Sequence, residues 1–99
     1  MTINNQFENS TLTMMIEGRI DTQTAPDLLK AVEDSIGNVS DLVLDFTNVS
    51  YISSAGLRSV LKAQNYMDEK GGTMVIRGAA KNIKNVFNVT GFDSFLTLE

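Results

Sequence analysis

The sequence predicts an α/β domain: a mixed sheet formed by an N-terminal hairpin and β-α units, with the helices mainly on one face. Two observations carry that expectation. Apolar residues alternate over short runs and recur at helical spacing over longer ones, in the order β-β-α-β-α-β-α-β. Glycines and Asn/Asp/Ser clusters stand where one pattern gives way to the other. With 99 residues, 42% of them apolar, the chain can bury one shared core and reads as a single domain over 1–99.

The elements follow in order. Ile3 to Phe7 is a short strand, and Glu8-Asn9-Ser10 is a turn. Thr11 to Glu17 alternates, with Leu12, Met14 and Ile16 on one side and Thr13, Met15 and Glu17 on the other. Gly18 ends this strand, and Arg19 to Thr22 forms a loop. Thr24 is read as a helix N-cap whose hydroxyl accepts the Asp27 N–H, with Pro26 tolerated in the first turn. Leu28, Leu29, Val32 and Ile36 form the apolar stripe, and Gly37 stops the helix. Leu42 to Phe46 is the central strand, and Thr47 to Ser53 reads as the connection leaving it.

A second helix runs from Ala55 to Glu69, with Leu57, Val60, Leu61, Gln64 and Met67 at helical spacing, and ends at Gly71-Gly72. Met74 to Ile76 is a short strand. Ala80 to Thr90 is a third helix, buried through Ile83, Val86 and Phe87, with Gly91 past its end. Asp93 and Ser94 turn the chain, and Phe95 to Leu98 returns to the sheet edge. Right-handed crossovers between strands added in one direction place all three helices on one face. Leu28, Val32, Leu44, Val60, Leu61, Ile83 and Phe87 are expected to share the core, and the methionines to fill gaps in it.

Composition excludes much chemistry. There is no cysteine and no histidine, so disulfides, thiol nucleophiles, Cys/His metal centres and imidazole bases are out. No phosphate-binding glycine loop or metal-protease motif occurs, and lone acids such as Asp21, Asp41 and Asp45 read as turn formers. The expectation is therefore a protein that is not an enzyme, with no catalytic residue, no metal site and no cofactor of its own. The net charge of −4 weighs against direct nucleic-acid binding. No basic start with an apolar run, and no apolar stretch near the roughly 20 residues of a membrane span, is present. A cytoplasmic protein without membrane insertion is expected. Residues 1–56 hold eight acids against two bases, whereas residues 57–99 hold four against six, which hints at a polarised surface.

One segment stands out: Ser50-Tyr51-Ile52-Ser53-Ser54-Ala55-Gly56-Leu57-Arg58, where strand and loop give way to helix. Its plain reading is capping, with Ser53 or Ser54 accepting a first-turn amide. That leaves Gly56 unexplained, because glycine in a first turn has a backbone cost. One account is that a missing Cβ lets another surface approach the helix start. The amides and dipole there would also stabilise a phosphate on a neighbouring serine.

Three landmarks in fixed order bring a family into view: Gly18-Arg19-Ile20-Asp21, then Leu42 to Val49, then Tyr51-Ile52-Ser53-Ser54-Ala55-Gly56-Leu57-Arg58. Over nearly its whole length the chain resembles the anti-sigma factor antagonists, single-domain members of the STAS fold shared with the cytoplasmic ends of sulfate transporters. The resemblance implies a STAS-like fold. The family core reads Asp-Ser-Ser-Gly-Leu or a variant. Matched on Gly56-Leu57, Ser54 falls on the phosphorylated serine, Ser53 stands where an aspartate is common, and Ala55 occupies a variable position. Ser53 is the runner-up acceptor. Asp21 matches a family aspartate on the loop beside the phosphosite.

The resemblance further implies partner switching. The unphosphorylated protein would bind an anti-sigma factor with a GHKL-type serine kinase fold and so free a sigma factor, regulating transcription. That kinase, which would bind the ATP and Mg, would phosphorylate the serine and release itself, and a PP2C-type phosphatase would reverse the step. The expected partner surface is Asp21, Thr22, Ser53, Ser54, Gly56, Leu57 and Arg58. Leu57, at helical spacing with Val60 and Leu61, reads as core ahead of contact, and Arg58 reads equally as solvated helix surface. The alternative reading is a non-switching STAS adaptor or scaffold subunit, for example of a lipid-transport or signalling assembly. The sequence leaves the oligomeric state open, homo-oligomers included.

Overall fold

In the computed structural model, which describes residues 1–99, the element order is β1 (Thr2–Glu8), β2 (Thr11–Ile20), α1 (Ala25–Ser35), β3 (Asp41–Ile52), α2 (Ser54–Glu69), β4 (Thr73–Arg77), α3 (Lys81–Thr90) and a closing 3-10 turn (Phe92–Ser94). The sheet order is β1-β2-β3-β4. β1 and β2 form the expected antiparallel hairpin around Asn9, whose φ of 56° is one that asparagine tolerates. β3 and β4 then add in parallel.

All three helices cover one face, as the crossover rule requires. Leu12, Met14 and Ile16 of β2, Leu42, Leu44 and Phe46 of β3, and Met74 and Ile76 of β4 meet the helical residues Leu28, Val32, Val60, Met67, Ile83 and Phe87 in one cluster. The Phe46 and Phe87 rings lie 6.2 Å apart and tilted, within aromatic contact. The opposite face has no helix over it. Thr13, Met15, Asp45 and Val75 are half-buried there. Leu61 departs from expectation: it packs against the core from its margin rather than inside it.

Two strands are longer than their patterns. β2 continues through Gly18 to Ile20, and β3 continues from Thr47 to Ile52, where a connection is expected from the sequence. The cause is two irregularities in the β2–β3 register, between Met15 and Glu17 and between Gly18 and Arg19. Each breaks the two-residue period, so Phe46, Val49 and Ile52 turn inward at every third position. Gly18 sits at the second irregularity with φ 101°, a value that disfavours any side chain. At the other end of the chain, the expected return strand reduces to a single parallel bridge between Leu98 and Ile76.

Candidate functional site

β2 and β3 end side by side, with Ile20 paired to Ile52. The chain leaves Ile20 into α1 and leaves Ile52 into α2, so the two helix starts meet at this end of the sheet.

At the α1 start, Asp21 does the capping that the sequence assigns to Thr24. Its Oδ1 accepts the Gln23 and Thr24 amides, each at 3.0 Å. The Thr24 hydroxyl is turned back instead of forward. It accepts the Asp21 N–H at 2.8 Å and donates to the Arg19 carbonyl at 2.8 Å. Thr24 has helical φ and ψ, which denies its side chain the usual cap geometry. The Thr24 amide, above the other donors, holds the Asp21 carboxyl below the ordinary range. Arg19 adds a weaker contact, its Nε 3.7 Å from Asp21 Oδ2. The Arg19 guanidinium also lies 4.2 Å over the Tyr51 ring, a cation–π contact across the two strand ends.

At the α2 start, Ser53 is the N-cap. Its backbone is extended, and its Oγ accepts the Gly56 N–H at 3.1 Å. Its own amide donates to the Ile20 carbonyl at 2.9 Å, tying the two strand ends together. Ser54, the first helical residue, is exposed beside it. The two serines thus separate by role: one hydroxyl is committed to the fold, and its neighbour faces solvent.

Gly56 has an internal reason for its missing side chain. A Cβ there would lie 2.7 Å from the Ile20 carbonyl oxygen and 2.8 Å from Ile52 Cγ1. The surface approaching this glycine is the chain's own β2, so the expectation of access for a partner is corrected. Leu57 is likewise in the core, 3% exposed, which removes it from any contact surface while unopened. Arg58 is exposed one turn along from Ser54. Thr22 is exposed at the opposite lip, on the α1 side.

Between the lips runs a groove of about 250 Å³ lined by Thr22, Pro26, Leu29, Ala55, Arg58 and Lys62. Its floor is tied by Ser59, whose buried hydroxyl donates to the Ala25 carbonyl at 3.2 Å. Sequence reasoning missed Arg19, Tyr51, Ser59, Pro26, Leu29 and Lys62 as parts of this end. Arg19 and Tyr51 are brought together only by the irregular register. The others sit on two helices whose adjacency shows no local signal.

Asp41 and Asp45 serve the fold. Asp45 accepts the Thr47 hydroxyl at 2.6 Å and its amide at 2.9 Å, and these bonds, the hydroxyl first, lower its pKa. Asp41 accepts the Thr73 hydroxyl at 2.6 Å. No cluster of three or more acidic side chains is placed to hold a metal ion. No helix is long and apolar enough to cross a membrane.

A family model described as STAS domain matches residues 2–99. The chain is 27% identical over 89 residues to the anti-sigma-B factor antagonist of Listeria monocytogenes, covering 87% of this chain and 76% of that protein. A crystal structure of an anti-sigma factor antagonist from Mycobacterium paratuberculosis superposes with TM-score 0.81 at 25% identity, over 98% of this chain and 83% of that one. The Bacillus cell fate determinant SpoIIAA in its phosphorylated form superposes with TM-score 0.76 at 16% identity, over 99% and 91% of the two chains.

Proposed function

The chain belongs to the STAS domain family, and from that premise we propose that it is an anti-sigma factor antagonist acting in the cytoplasm, switched by phosphorylation of Ser54. The single observation that carries this reading is the division of labour at the α2 start. Ser53 Oγ is held by the Gly56 amide, whereas Ser54 is exposed at the first helical position. A kinase needs an acceptor hydroxyl it can reach, and Ser54 is that hydroxyl.

The partner is an anti-sigma factor with a GHKL-type serine kinase fold, which brings the ATP and Mg. This chain holds no imidazole base, and serine is a weak nucleophile unaided, so activating the hydroxyl falls to the partner. Its contribution is presentation. Asp21, Thr22, Ser53, Ser54 and Arg58 surround the strand ends, and the groove between α1 and α2 offers apolar Pro26, Leu29 and Ala55 between cationic Arg58 and Lys62. Gly56 and Leu57 act from beneath, by setting the height of α2 above Ile20 and Ile52.

Phosphate at Ser54 adds about −1.5 to −2 charge. In the free protein the α2 N-terminus stabilises that charge. Inside a desolvated interface it is costly, and each 1.4 kcal/mol weakens binding about tenfold. The modified chain therefore stays folded and leaves its partner, until a PP2C-type phosphatase restores the hydroxyl.

Incubation with the cognate kinase and ATP, followed by tandem mass spectrometry, tests the reading. Phosphate is expected on Ser54, and Ser54→Asp is expected to weaken partner binding about tenfold or more. Phosphate only on Ser53 would contradict the assignment. No phosphate on either serine, with a kinase active on another substrate, would favour the non-switching adaptor.

A further inference from the structure

The two edges of the sheet are treated differently. The β4 edge is covered: Ile76 donates to the Thr97 carbonyl at 2.9 Å, and the Glu99 amide donates back to Ile76 at 2.7 Å. The β1 edge has nothing on it. β1 pairs with β2 without a single irregularity from Thr2 to Glu8. Its sequence, Thr2-Ile3-Asn4-Asn5-Gln6-Phe7-Glu8, holds no proline, no lysine and no charge before Glu8. These are the usual devices that keep a strand edge from pairing, and they are absent.

The backbone alternation is set by the hairpin. A two-residue turn makes Glu8 and Thr11 a hydrogen-bonded pair, so the even-numbered residues of β1 bond to β2. Ile3, Asn5 and Phe7 then aim their amides and carbonyls outward. On the helix side of the sheet the same three side chains stand in register with Ile16, Met14 and Leu12. Phe7 is 62% exposed there, a large apolar side chain without a cover.

We propose that the β1 edge is a homodimer interface, in which β1 of a second copy pairs antiparallel about a two-fold axis at Asn5. The chemistry of the strand is self-complementary about that point. Ile3 faces the second copy's Phe7, Asn4 faces Gln6, Thr2 faces Glu8, and Asn5 faces itself. The outward backbone groups are in phase with this register, since Ile3, Asn5 and Phe7 all fall in hydrogen-bonded pairs, giving about six inter-chain bonds. An isologous contact of this kind closes on itself and stops at two copies. The result is one eight-stranded sheet. Phe7 gains an aliphatic neighbour across the strand, a favourable cross-strand pair. The end of the sheet carrying Ser54 lies beyond the β1–β2 pairing, since β2 runs past Glu17, the partner of Thr2, to Ile20. A dimer through β1 therefore leaves the switch accessible.

Charge opposes the contact, because residues 1–56 of each copy hold eight acids against two bases. Added salt screens that repulsion and so tightens the dimer, the reverse of an ion-pair interface.

Sedimentation velocity of the full chain between about 10 μM and 1 mM is expected to show a monomer–dimer equilibrium that tightens with salt. Phe7→Lys places a charge in the cross-strand pair and is expected to raise the dissociation constant about tenfold or more. Asn5→Pro removes an outward amide that β2 does not use, and acts in the same direction. Amide exchange gives an independent reading that survives if the proline variant does not fold. Ile3, Asn5 and Phe7 are expected to gain protection with concentration, while Asn4 and Gln6, already bonded to β2, do not. A chain that stays monomeric to about 1 mM, a dimer undisturbed by Phe7→Lys, or protection indifferent to the odd–even alternation would overturn the proposal.

Discussion

The starts of α1 and α2 do the same geometric job with different means. Both carry the chain out of parallel strands that end together at Ile20 and Ile52. Four residues, Asp21 to Thr24, separate β2 from α1, whereas Ser53 alone separates β3 from α2. The longer joint spends its polar side chains internally: Asp21 Oδ1 holds two amides, and Thr24 Oγ1 bonds both Asp21 and Arg19. What remains outside is a wall of Thr22, Pro26 and Leu29. The shorter joint needs only one hydroxyl, leaving the next serine free. It also drops α2 so close to β2 that only glycine fits at position 56. A short strand-to-helix joint thus makes an exposed hydroxyl and a backbone constraint together.

Gly56→Ala should break the contrast most severely. The added methyl would sit 2.7 Å from Ile20 O, a backbone atom that also receives the Ser53 amide and cannot move freely. Overpacking of this kind costs about 3 kcal/mol. Urea unfolding is the measurement, and a loss below about 1 kcal/mol would mean the joint has slack. Partner binding should fall with it even where the variant folds, because α2 must rise to make room.

Ser53→Ala is next, at about 1 kcal/mol, the usual cost of deleting an N-cap. Ser53→Asp supplies the residue common in the resembling family and keeps an acceptor for the Gly56 amide. It should hold stability within about 0.5 kcal/mol of the parent. A large loss in Ser53→Asp would show that the joint is too tight for a carboxylate.

The two caps should also differ in acid. The α1 cap is a carboxylate with a lowered pKa, and the α2 cap is a hydroxyl that does not titrate. For a depressed carboxylate, its stabilising contribution is present above the unfolded value of 3.8 and is lost as pH falls through the lower folded value. Asp45 behaves in the same direction on the other side of the sheet. Asp21→Asn should therefore flatten the decline of stability below pH 3.8 without abolishing it, while Ser53→Ala shifts the whole curve down at constant slope. Thermal unfolding at several pH values separates the two outcomes.

Much of this was readable before the structure. The one-faced sheet follows from β-α order and crossover handedness, and Leu28, Val32, Leu44, Val60, Ile83 and Phe87 fall in the core as expected. Leu61 does not, because helical spacing locates a stripe but not its centre line, and the burial axis of α2 runs through Leu57, Val60, Ala63 and Met67. The second half of β3 is hidden for a different reason. Thr47-Asn48-Val49-Ser50-Tyr51-Ile52 has a three-residue apolar period that arises from pairing irregularities, and these exist only between strands. At the site, the paired serines were visible as a cap, but which serine capped was not. That choice depends on the extended backbone at Ser53, imposed by its bond to Ile20. Gly56 stands out in the sequence by its backbone cost, but the neighbour that explains it, Ile20, lies thirty-six positions earlier, beyond any local pattern.

Ser54→Ala should have the smallest effect on the fold and the largest on the switch. Ser54 is exposed at the first helical position, and the cap bond belongs to its neighbour. Alanine is a better helix former than serine, so stability should change by no more than about 0.5 kcal/mol. Partner affinity should stay near that of the unmodified chain, because no charge is added and the groove residues are untouched. Yet ATP should no longer drive release. Titration with the kinase partner, with and without ATP, measures all of this in one series. If ATP still released Ser54→Ala as fast as the parent, the free hydroxyl at the short joint would not be the acceptor. The difference between the two helix starts would then concern packing alone.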